Sequence, residues 1–368
     1  MRVALVHDWL ITWRGGEKVL QALAGLFPAA DIFTLFHEPG SMSPRIEGRT
    51  IHTSFLDKIP GARANHRQYF PLMPLAIERL SLDGYDLVIS SSHCVAKGVR
   101  KPAGARHLSY VHAPMRYMWD HFDNYFGPGR TTLAVRAAAL ALRPSLQRWD
   151  VKSAEGVDRF VANSANVARQ IATRYGREAS VVYPPAELER FSAMPADRDG
   201  KGTYFLCLGA LAPYKRIDLA IDAFTTMGLP LWVGGTGQQS KWLRSLPRNI
   251  QALGQVADAD LPGLFRGARA LVFPGEDDLG LTPIEAQASG RPVIAFARGG
   301  ALETVTEQTG VFFAEPTAQS LIDAVRRFES SETSFSPAAA RANASRFSIA
   351  AFEAGMRSEL KAMGLEAL

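Results

Sequence analysis

Cysteine, long apolar runs and clustered basic residues are all scarce in this chain of 368 residues. The two cysteines, Cys94 and Cys207, lie in apolar, strand-like runs, so we expect small buried side chains and neither a disulfide nor a metal site. No segment approaches the roughly 18 continuous apolar residues of a membrane-spanning helix, and the chain starts directly with a strand-like run. These features predict a cytosolic protein of a reducing compartment without a membrane span.

Charge and composition exclude further classes. The formal net charge is +5, and 47% hydrophobic with 21% charged residues is ordinary for a globular protein, which excludes a disordered chain. Because no lysine- or arginine-rich run exists, we expect no nucleic-acid partner. Anionic partners such as nucleotide diphosphates or lipid phosphates are a sufficient explanation of the mild basic excess.

Apolar strand-like runs alternate with amphipathic helical patterns along most of the chain, which predicts an α/β fold. One series begins at residues 2–7 and a second at residues 204–209. The segment Ala193–Gly202 between them is rich in Pro, Asp, Arg, Gly and Lys, as linkers are. We therefore expect two Rossmann-like domains, residues 1–189 and 203–346, followed by a terminal helical segment, residues 347–368.

An acidic loop lies between a predicted strand ending at Phe273 and a predicted short helix. Thr282 is a suitable N-cap, Pro283 suits the first helical position, and Glu285 completes a capping box. The acids Glu276, Asp277 and Asp278 would then lie beside free backbone N–H groups, an arrangement that suits a polyhydroxylated, phosphorylated ligand. The alternative is that Glu285 only caps its helix and the acids form a solvated loop.

Three other features follow predicted strands, where sites in open α/β sheets lie. Gly15 and Gly16 would let backbone approach a phosphate or sugar, or form a plain turn. His112 is either structural or part of a site, and Lys215 is either a surface residue at a helix start or a charge for a diphosphate. The first strand lacks the Gly-x-Gly-x-x-Gly fingerprint of dinucleotide-binding enzymes, which argues against a nucleotide-sugar epimerase.

These blocks together resemble the retaining glycosyltransferases of family 4, which have the GT-B fold of two Rossmann-like domains facing across a cleft. The resemblance rests on the acid–seven residues–Glu pattern of Asp277 and Glu285, on Gly280-Leu281, and on the run from His112 to Asp120. That run is similar to a block of bacterial members that build cell-surface polysaccharides. Departures are Asp277 for the family's Glu, Glu187 for an Asp, and Ala210 for an Arg that grips the diphosphate.

The resemblance implies transfer of a sugar from a nucleotide-sugar to an acceptor hydroxyl with retention of configuration. It implies that Glu285 holds the ribose, that Asp277 or Glu276 contacts the transferred sugar, and that His112 contacts the same sugar. The expected donor-binding residues are Gly15, Gly16, Lys215, Arg216, Gly235, Glu276, Gly280, Leu281 and Thr282. Arg67 and Arg116 are the expected residues on the acceptor side.

The expected partners are a nucleotide-sugar donor, with GDP-mannose favoured, and a lipid-linked glycan acceptor of exopolysaccharide or O-antigen type. Residues 40–80, broken by prolines, and the Ala/Leu helix of residues 131–149 carry basic side chains. Either segment would suit peripheral contact with the inner membrane leaflet, or they form a solvated loop and an ordinary packed helix.

No cofactor or metal is expected, because Asp258-Ala259-Asp260 reads as a helix cap and not as a metal-binding Asp-x-Asp motif. A glycan phosphorylase would be a much longer chain. The alternative function, suggested by Ala210, is a non-catalytic glycan-binding protein of the same fold with a decayed donor site.

Overall fold

The computed structural model describes residues 1–119, 122–128, 131–192, 202–237, 243 and 245–365. The chain divides into two compact units. The first comprises Met1–Pro185 together with the chain from Phe352 onward, and the second is Ala186–Ala351. Most of the predicted linker Ala193–Gly202 lies outside the described residues, as does Asp120.

The first unit is built on a seven-stranded sheet in the order β3-β2-β1-β4-β5-β6-β7, and every neighbouring pair is parallel. Its central strands are buried because helices cover both faces of a parallel sheet. The strands are β1 Val3–His7, β2 Asp31–Thr34, β3 Ile51–Thr53, β4 Leu87–Ser92, β5 Arg106–Val111, β6 Arg159–Ala162 and β7 Ala179–Val181.

Two apolar cores lie on the two faces of this sheet, since alternate residues of β1 contribute to different clusters: Ala4 and Val6 to one, Leu5 to the other. The terminal helix supplies Phe352 and Met356 to the second cluster. The helices of this unit are α1 Gly15–Leu26, α2 Pro44–Glu47, α3 Met73–Glu78, α4 Phe122–Phe126, α5 Leu133–Ser153 and α6 Ala165–Tyr175, with α14 Ile349–Ala362 beginning just before the division.

The second unit has a six-stranded parallel sheet in the order β10-β9-β8-β11-β12-β13. Its strands are β8 Tyr204–Leu208, β9 Leu231–Gly234, β10 Ile250–Gly254, β11 Ala268–Phe273, β12 Val293–Phe296 and β13 Gly310–Phe313. Its helices are α7 Glu189–Ser192, α8 Ile217–Met227, α9 Leu261–Gly267, α10 Leu281–Ala288, α11 Ala301–Thr304, α12 Ala318–Ser331 and α13 Pro337–Ala344.

The predicted α/β class with two Rossmann-like halves is confirmed, and both cysteines are buried, as expected. Cys207 lies in β8, but Cys94 follows β4 in a turn. The segment 40–80 was expected to be irregular, yet it contains β3, α2 and α3. The prediction failed there because β3 is a three-residue edge strand, too short to show an alternating pattern.

Helix α5 packs inward through Ala139, Leu146 and Asp150 and exposes apolar side chains outward. Leu133 is 86% exposed, and Val135, Leu140 and Leu142 are exposed as well. None of the helices in the described part of the chain combines the length and apolar character needed to cross a membrane.

Candidate functional site

The predicted site residues fall into two clusters, one in each unit, at the carboxyl ends of parallel strands. In the first unit the neighbouring strands β1, β4 and β5 end in polar residues: His7-Asp8, Ser91-Ser92-His93 and His112. Because the strands are parallel, these residues lie along the same sheet edge. Three imidazoles meet there, with ring centroids of His7, His93 and His112 5.9–6.5 Å apart.

A chain of polar contacts runs from helix α1 to His112. Glu17, in the first turn of α1, accepts a hydrogen bond from the Arg14 N–H (2.8 Å) and lies 3.6 Å from His7 Nε2. Ser91 is the register partner of His7 across the sheet. Its Oγ lies 3.1 Å from His7 Nδ1 and 2.8 Å from His112 Nε2. His7, Glu17 and Ser91 are all buried.

A second buried carboxylate fixes the turn that carries His93. Asp8 accepts hydrogen bonds from the backbone N–H groups of His93–Ala96, at 2.6–3.0 Å, and lies 3.0 Å from His93 Nδ1. Burial alone would raise the pKa of Asp8, but the charge and hydrogen bonds of His93 and the charge of His7 hold it well below its usual range. Asp8 is therefore a charged anchor for this edge.

His112 is held neutral. Burial, and then the neighbouring His93 and His7, lower the pKa of its imidazole well below the usual range. Its backbone is fixed as well, because its N–H donates to Ser92 O and its carbonyl accepts from Asn163 Nδ2. The ring is only partly exposed. His112 thus offers a hydrogen-bonding group of fixed position that carries no charge at neutral pH.

Gly16 lies against this cluster. A side-chain carbon at Gly16 would be 3.4 Å from His7 Cε1 and 3.8 Å from His112 Nε2. Gly15 is the first residue of α1. The helix start and His112 therefore belong to one cluster.

The two arginines predicted for the acceptor side differ in their surroundings. Arg116 is partly buried in the loop after β5, and its charge contributes to lowering the pKa of His112. Arg67 is exposed on the 3-10 helix His66–Leu72, and no contact among the described residues relates it to His112.

In the second unit, the predicted start of helix α10 is wrong. The helix begins at Leu281, with Gly280 as N-cap at φ +87° and without a side-chain hydrogen bond to the cap. Thr282 and Pro283 are therefore already inside the first turn, and Glu285 completes no capping box. A glycine can hold this left-handed conformation without strain, which starts the helix two residues before the expected position.

The acidic loop is held directly against the loop that carries Lys215. Lys215 Nζ donates to Asp277 Oδ2 in an ion pair whose side chains are 16% and 11% exposed. Gly275 permits this approach, since a side-chain carbon there would be 2.5 Å from Lys215 Cα. The other side of the loop is tied down by the Gly300 N–H, which donates to Asp277 O. Both residues predicted to bind the donor are thus in mutual contact.

The remaining predicted donor residues lie around this pair or brace it. Arg216 has a left-handed backbone (φ +50°) and its guanidinium pairs with Asp218 in the first turn of α8. Gly235 packs against the residue that follows β8, because a side-chain carbon there would be 1.8 Å from Gly209 O. Glu276 is exposed, while Leu281, Thr282 and Glu285 are partly buried in the first two turns of α10. Ala210, the residue after Gly209, is exposed.

Sequence reasoning missed His7, Asp8, Glu17 and His93. A usable signal was present, because β1 and β4, like β5, run directly into polar residues at their carboxyl ends. Applying the strand-end rule to β1 and β4, and not only to β5, would have predicted the cluster. Among the described residues no group of His, Cys, Asp and Glu side chains is arranged to hold a metal ion.

Two family models match adjoining parts of the chain. The model for glycosyltransferase family 4 matches residues 13–190, and the model for glycosyl transferases group 1 matches residues 193–347. Each match coincides closely with one structural unit.

Curated relatives match less of their own length. A mannosylfructose-phosphate synthase of Agrobacterium fabrum is 33% identical over 136 residues, 32% of this chain and 30% of the relative. A GDP-mannose-dependent α-(1-6)-phosphatidylinositol monomannoside mannosyltransferase of Mycobacterium tuberculosis is 29% identical over 201 residues, 46% of this chain and 52% of the relative. The matches thus span about half the length of such relatives or less.

Solved structures match across almost the whole chain. Alr3699/HepE of Anabaena, determined in complex with UDP, has a TM-score of 0.71 at 16% identity and covers 98% of this chain and 100% of its own. A sucrose-phosphate synthase of Thermosynechococcus elongatus has a TM-score of 0.72 at 18% identity, with 99% of both chains covered. These likenesses concern the fold, and with the two parallel sheets they confirm the predicted GT-B class.

Proposed function

Because the chain belongs to family 4 of the glycosyltransferases, we propose that it is a retaining, metal-independent hexosyltransferase. Its donor is GDP-mannose and its acceptor is a hydroxyl of a lipid-linked oligosaccharide in surface-glycan synthesis. The contact between Lys215 and Asp277 carries the proposal, since it brings together the cation proposed to bind the diphosphate and the carboxylate proposed to bind the sugar. The choice of mannose is supported by the relatives that are a mannosylfructose-phosphate synthase and a GDP-mannose-dependent enzyme.

The reaction breaks the bond between the anomeric carbon and the β-phosphate oxygen and forms a bond from that carbon to the acceptor oxygen. The acceptor proton passes to the departing phosphate, so no protein base is required. Lys215, and the N–H groups at the start of α10, neutralise the diphosphate as its charge grows. Arg216 joins them by leaving Asp218. Preorganised charge of this kind is the usual main source of catalysis in such transfers.

The remaining residues orient the sugar and the nucleoside. Glu285 holds the ribose hydroxyls, while Asp277, released from Lys215, or Glu276 accepts hydrogen bonds from the transferred sugar. Neutral His112 contacts the same sugar, and Gly15 and Gly16 allow the diphosphate to approach the backbone of α1. A neutral imidazole suits this position because it adds no positive charge beside an oxocarbenium-like sugar.

A thermal-shift panel with GDP, UDP, dTDP and ADP, each with and without its sugar, tests the donor site. A ligand at a hundred times its Kd stabilises by about 2.7 kcal/mol. We expect GDP and GDP-mannose to raise the Tm of the wild type but not of Glu285→Ala, and the exposed Glu307→Ala to behave as wild type. A Tm increase with UDP alone would mean that the donor is a UDP-sugar and not GDP-mannose. No response to any nucleotide would favour the non-catalytic glycan-binding alternative.

Helix α5 supports contact with an anionic membrane on the cytoplasmic face. Leu133 and Leu140, seven positions apart, share one exposed face, while the exposed Val135 and Leu142 lie on the opposite side of the helix. No acidic residue occurs between Asp123 and Asp150, while Arg136 and Arg148 add positive charge. An apolar helix face flanked by arginines fits a bilayer with anionic headgroups.

Co-sedimentation with vesicles tests this surface. We expect binding to phosphatidylglycerol-rich vesicles, little binding to phosphatidylcholine, and loss of binding in Leu133→Gln/Leu140→Gln. The control is Leu302→Gln, because Leu302 is 55% exposed in the second unit. Equal binding by both variants, or a concentration-dependent dimer that only the α5 variant abolishes, would contradict a membrane contact.

A further inference from the structure

The contacts from Glu17 to His112 form a buried relay that the proposed reaction does not itself require. We propose that Glu17 and His7 are positioning residues which, through Ser91, fix the ring nitrogen on which His112 carries its proton. The proposal rests on the proposed role of His112 at the transferred sugar. It concerns only residues of the first unit, from helix α1 and strands β1, β4 and β5.

The carboxylate of Glu17 determines which ring nitrogen of His7 carries a proton. Glu17 is 4% exposed, and burial alone would raise its pKa, but the hydrogen bond and charge of His7 lower the pKa below its usual range, so Glu17 remains ionised. Its Oε1 lies 3.6 Å from His7 Nε2, which has no hydrogen-bond partner among the other described groups. An ionised carboxylate can only accept, so it favours a proton on His7 Nε2.

Ser91 has one hydroxyl proton and can therefore donate to only one of its two histidine neighbours. When the His7 ring carries a single proton, on Nε2, its Nδ1 is an acceptor and receives the Ser91 O–H across 3.1 Å. Ser91 Oγ then has only lone pairs for its other neighbour, His112 Nε2, at 2.8 Å. His112 must therefore donate, with its proton on Nε2. Its Nδ1 is left as an acceptor, available to a sugar hydroxyl.

The other charged groups near His112 do not oppose this arrangement of protons on His7, Ser91 and His112. Those that influence its titration besides His7 are His93, Asp8 and Arg116. Asp8 is engaged with His93 and four backbone N–H groups, and none of these contacts involves His112. The relay through Ser91 is thus the path by which a carboxylate reaches His112.

Nitrogen-15 NMR of the histidine side chains at pH 8 tests the proposal without any transfer assay. In the wild type we expect His112 Nε2 at the limiting shift of a protonated ring nitrogen and Nδ1 at that of an unprotonated one. Glu17→Gln and Ser91→Ala should move both nitrogens to intermediate values, because the two tautomers then exchange. Unchanged His112 shifts in both variants, or intermediate shifts in the wild type, would overturn the relay.

Ser90→Ala is the matched control. Ser90 is also buried on β4 and its Oγ lies 2.8 Å from His107 Nε2, but it contacts neither His7 nor His112. It should perturb the His107 signals and leave those of His112 unchanged. A loss of fold, seen as a collapsed Tm, would affect all histidines at once and is distinguished by this control.

Kinetics then separate positioning from structure. For Glu17→Gln we expect kcat to fall by about 10- to 100-fold, the range for losing a partner that orients a functional histidine, with the donor KM nearly unchanged. If the NMR result holds but no nucleotide-sugar is used, the proposed function fails and the relay stands. If transfer occurs with wild-type kcat in Glu17→Gln, the relay fails and the proposed function stands.

Discussion

The ion pair between Lys215 and Asp277 makes opposite predictions for its two partners. Lys215→Met removes the cation that a diphosphate would need, while Asp277→Asn removes the carboxylate that holds this cation in the unliganded protein. We expect Lys215→Met to weaken GDP binding and Asp277→Asn to strengthen it. Both variants should reduce sugar transfer, because Asp277 is also a proposed sugar contact.

The structure sets the magnitudes. Two charges about 4 Å apart attract by about 4 kcal/mol at an effective dielectric constant of 20, before desolvation and side-chain entropy are subtracted. At 16% and 11% exposure the pair lies between surface pairs, worth about 0–1 kcal/mol, and buried pairs, whose disruption costs about 3–5 kcal/mol. We therefore expect each single variant to lose about 2 kcal/mol of stability, and the double variant to lose less than the sum.

Binding follows from the same contact. Losing a charge-assisted hydrogen bond to phosphate costs about 1.5–3 kcal/mol, so the Kd for GDP should rise roughly 10- to 150-fold in Lys215→Met. In Asp277→Asn the nucleotide no longer has to break a pair worth about 1–2 kcal/mol. The Kd should therefore fall roughly fivefold or more.

Isothermal titration with GDP and thermal unfolding, run on the same samples, measure both effects. Arg269→Met is the control, because Arg269 pairs with Glu332 at 2.8 Å and 19% and 15% exposure. It lies at the amino end of β11, whereas Asp277 follows the carboxyl end. It should lower Tm and leave GDP binding unchanged. If Asp277→Asn weakens GDP binding as strongly as Lys215→Met, the pair does not compete with the nucleotide and the reasoning is refuted.

Three further predictions concern the first unit. Gly16→Ala should leave stability unchanged or raise it by up to about 1 kcal/mol, yet lower transfer, because the new methyl lies 3.8 Å from His112 Nε2 where the donor would approach. Lys97→Met should cost about 3–5 kcal/mol in urea unfolding, since buried Asp150, 2.9 Å away, loses its cation. Burial lowers the pKa of His107 to about 4. Because the unfolded chain binds this proton below pH 6.5 and the folded chain does not, about 3 kcal/mol of stability should be lost between pH 6.5 and 4, and His107→Gln should remove that part of the pH dependence.

The elements that were predicted correctly are those whose burial is visible in the sequence as an apolar pattern. β1, β8 and β12 are buried on both faces and read as continuous apolar runs. β3 carries no such signal because its three residues lie at a sheet edge and are half-buried or exposed. Helix α13 was not predicted either, because its Ala-rich sequence shows too little apolar periodicity.

The candidate site could be predicted where the residues that form it are recognised by their spacing along the sequence. The interval from Asp277 to Glu285 is read directly, but the partner of Asp277 lies 62 positions away in Lys215 and depends on sheet order. The start of α10 was misplaced because Thr282 has a stronger cap propensity than Gly280, whereas the left-handed turn at Gly280 decides the boundary. His7 and Ser91 likewise meet only through the register of β1 with β4.

Ala210 bears most directly on whether the donor site is functional. Its loop is held by the hydrogen bond from Leu211 N–H to Thr236 O and by the close approach of Gly235. These are backbone contacts, so the absence of an arginine side chain at position 210 does not remove them. The neighbouring Lys215 and Asp277 are partly buried, and such a pair stabilises a fold no better than apolar side chains of similar volume. Stability alone therefore gives no reason for both charges to meet across Gly275. A diphosphate that takes the lysine and a sugar that takes the carboxylate do give one, which favours a working donor site with one fewer phosphate contact over a decayed one.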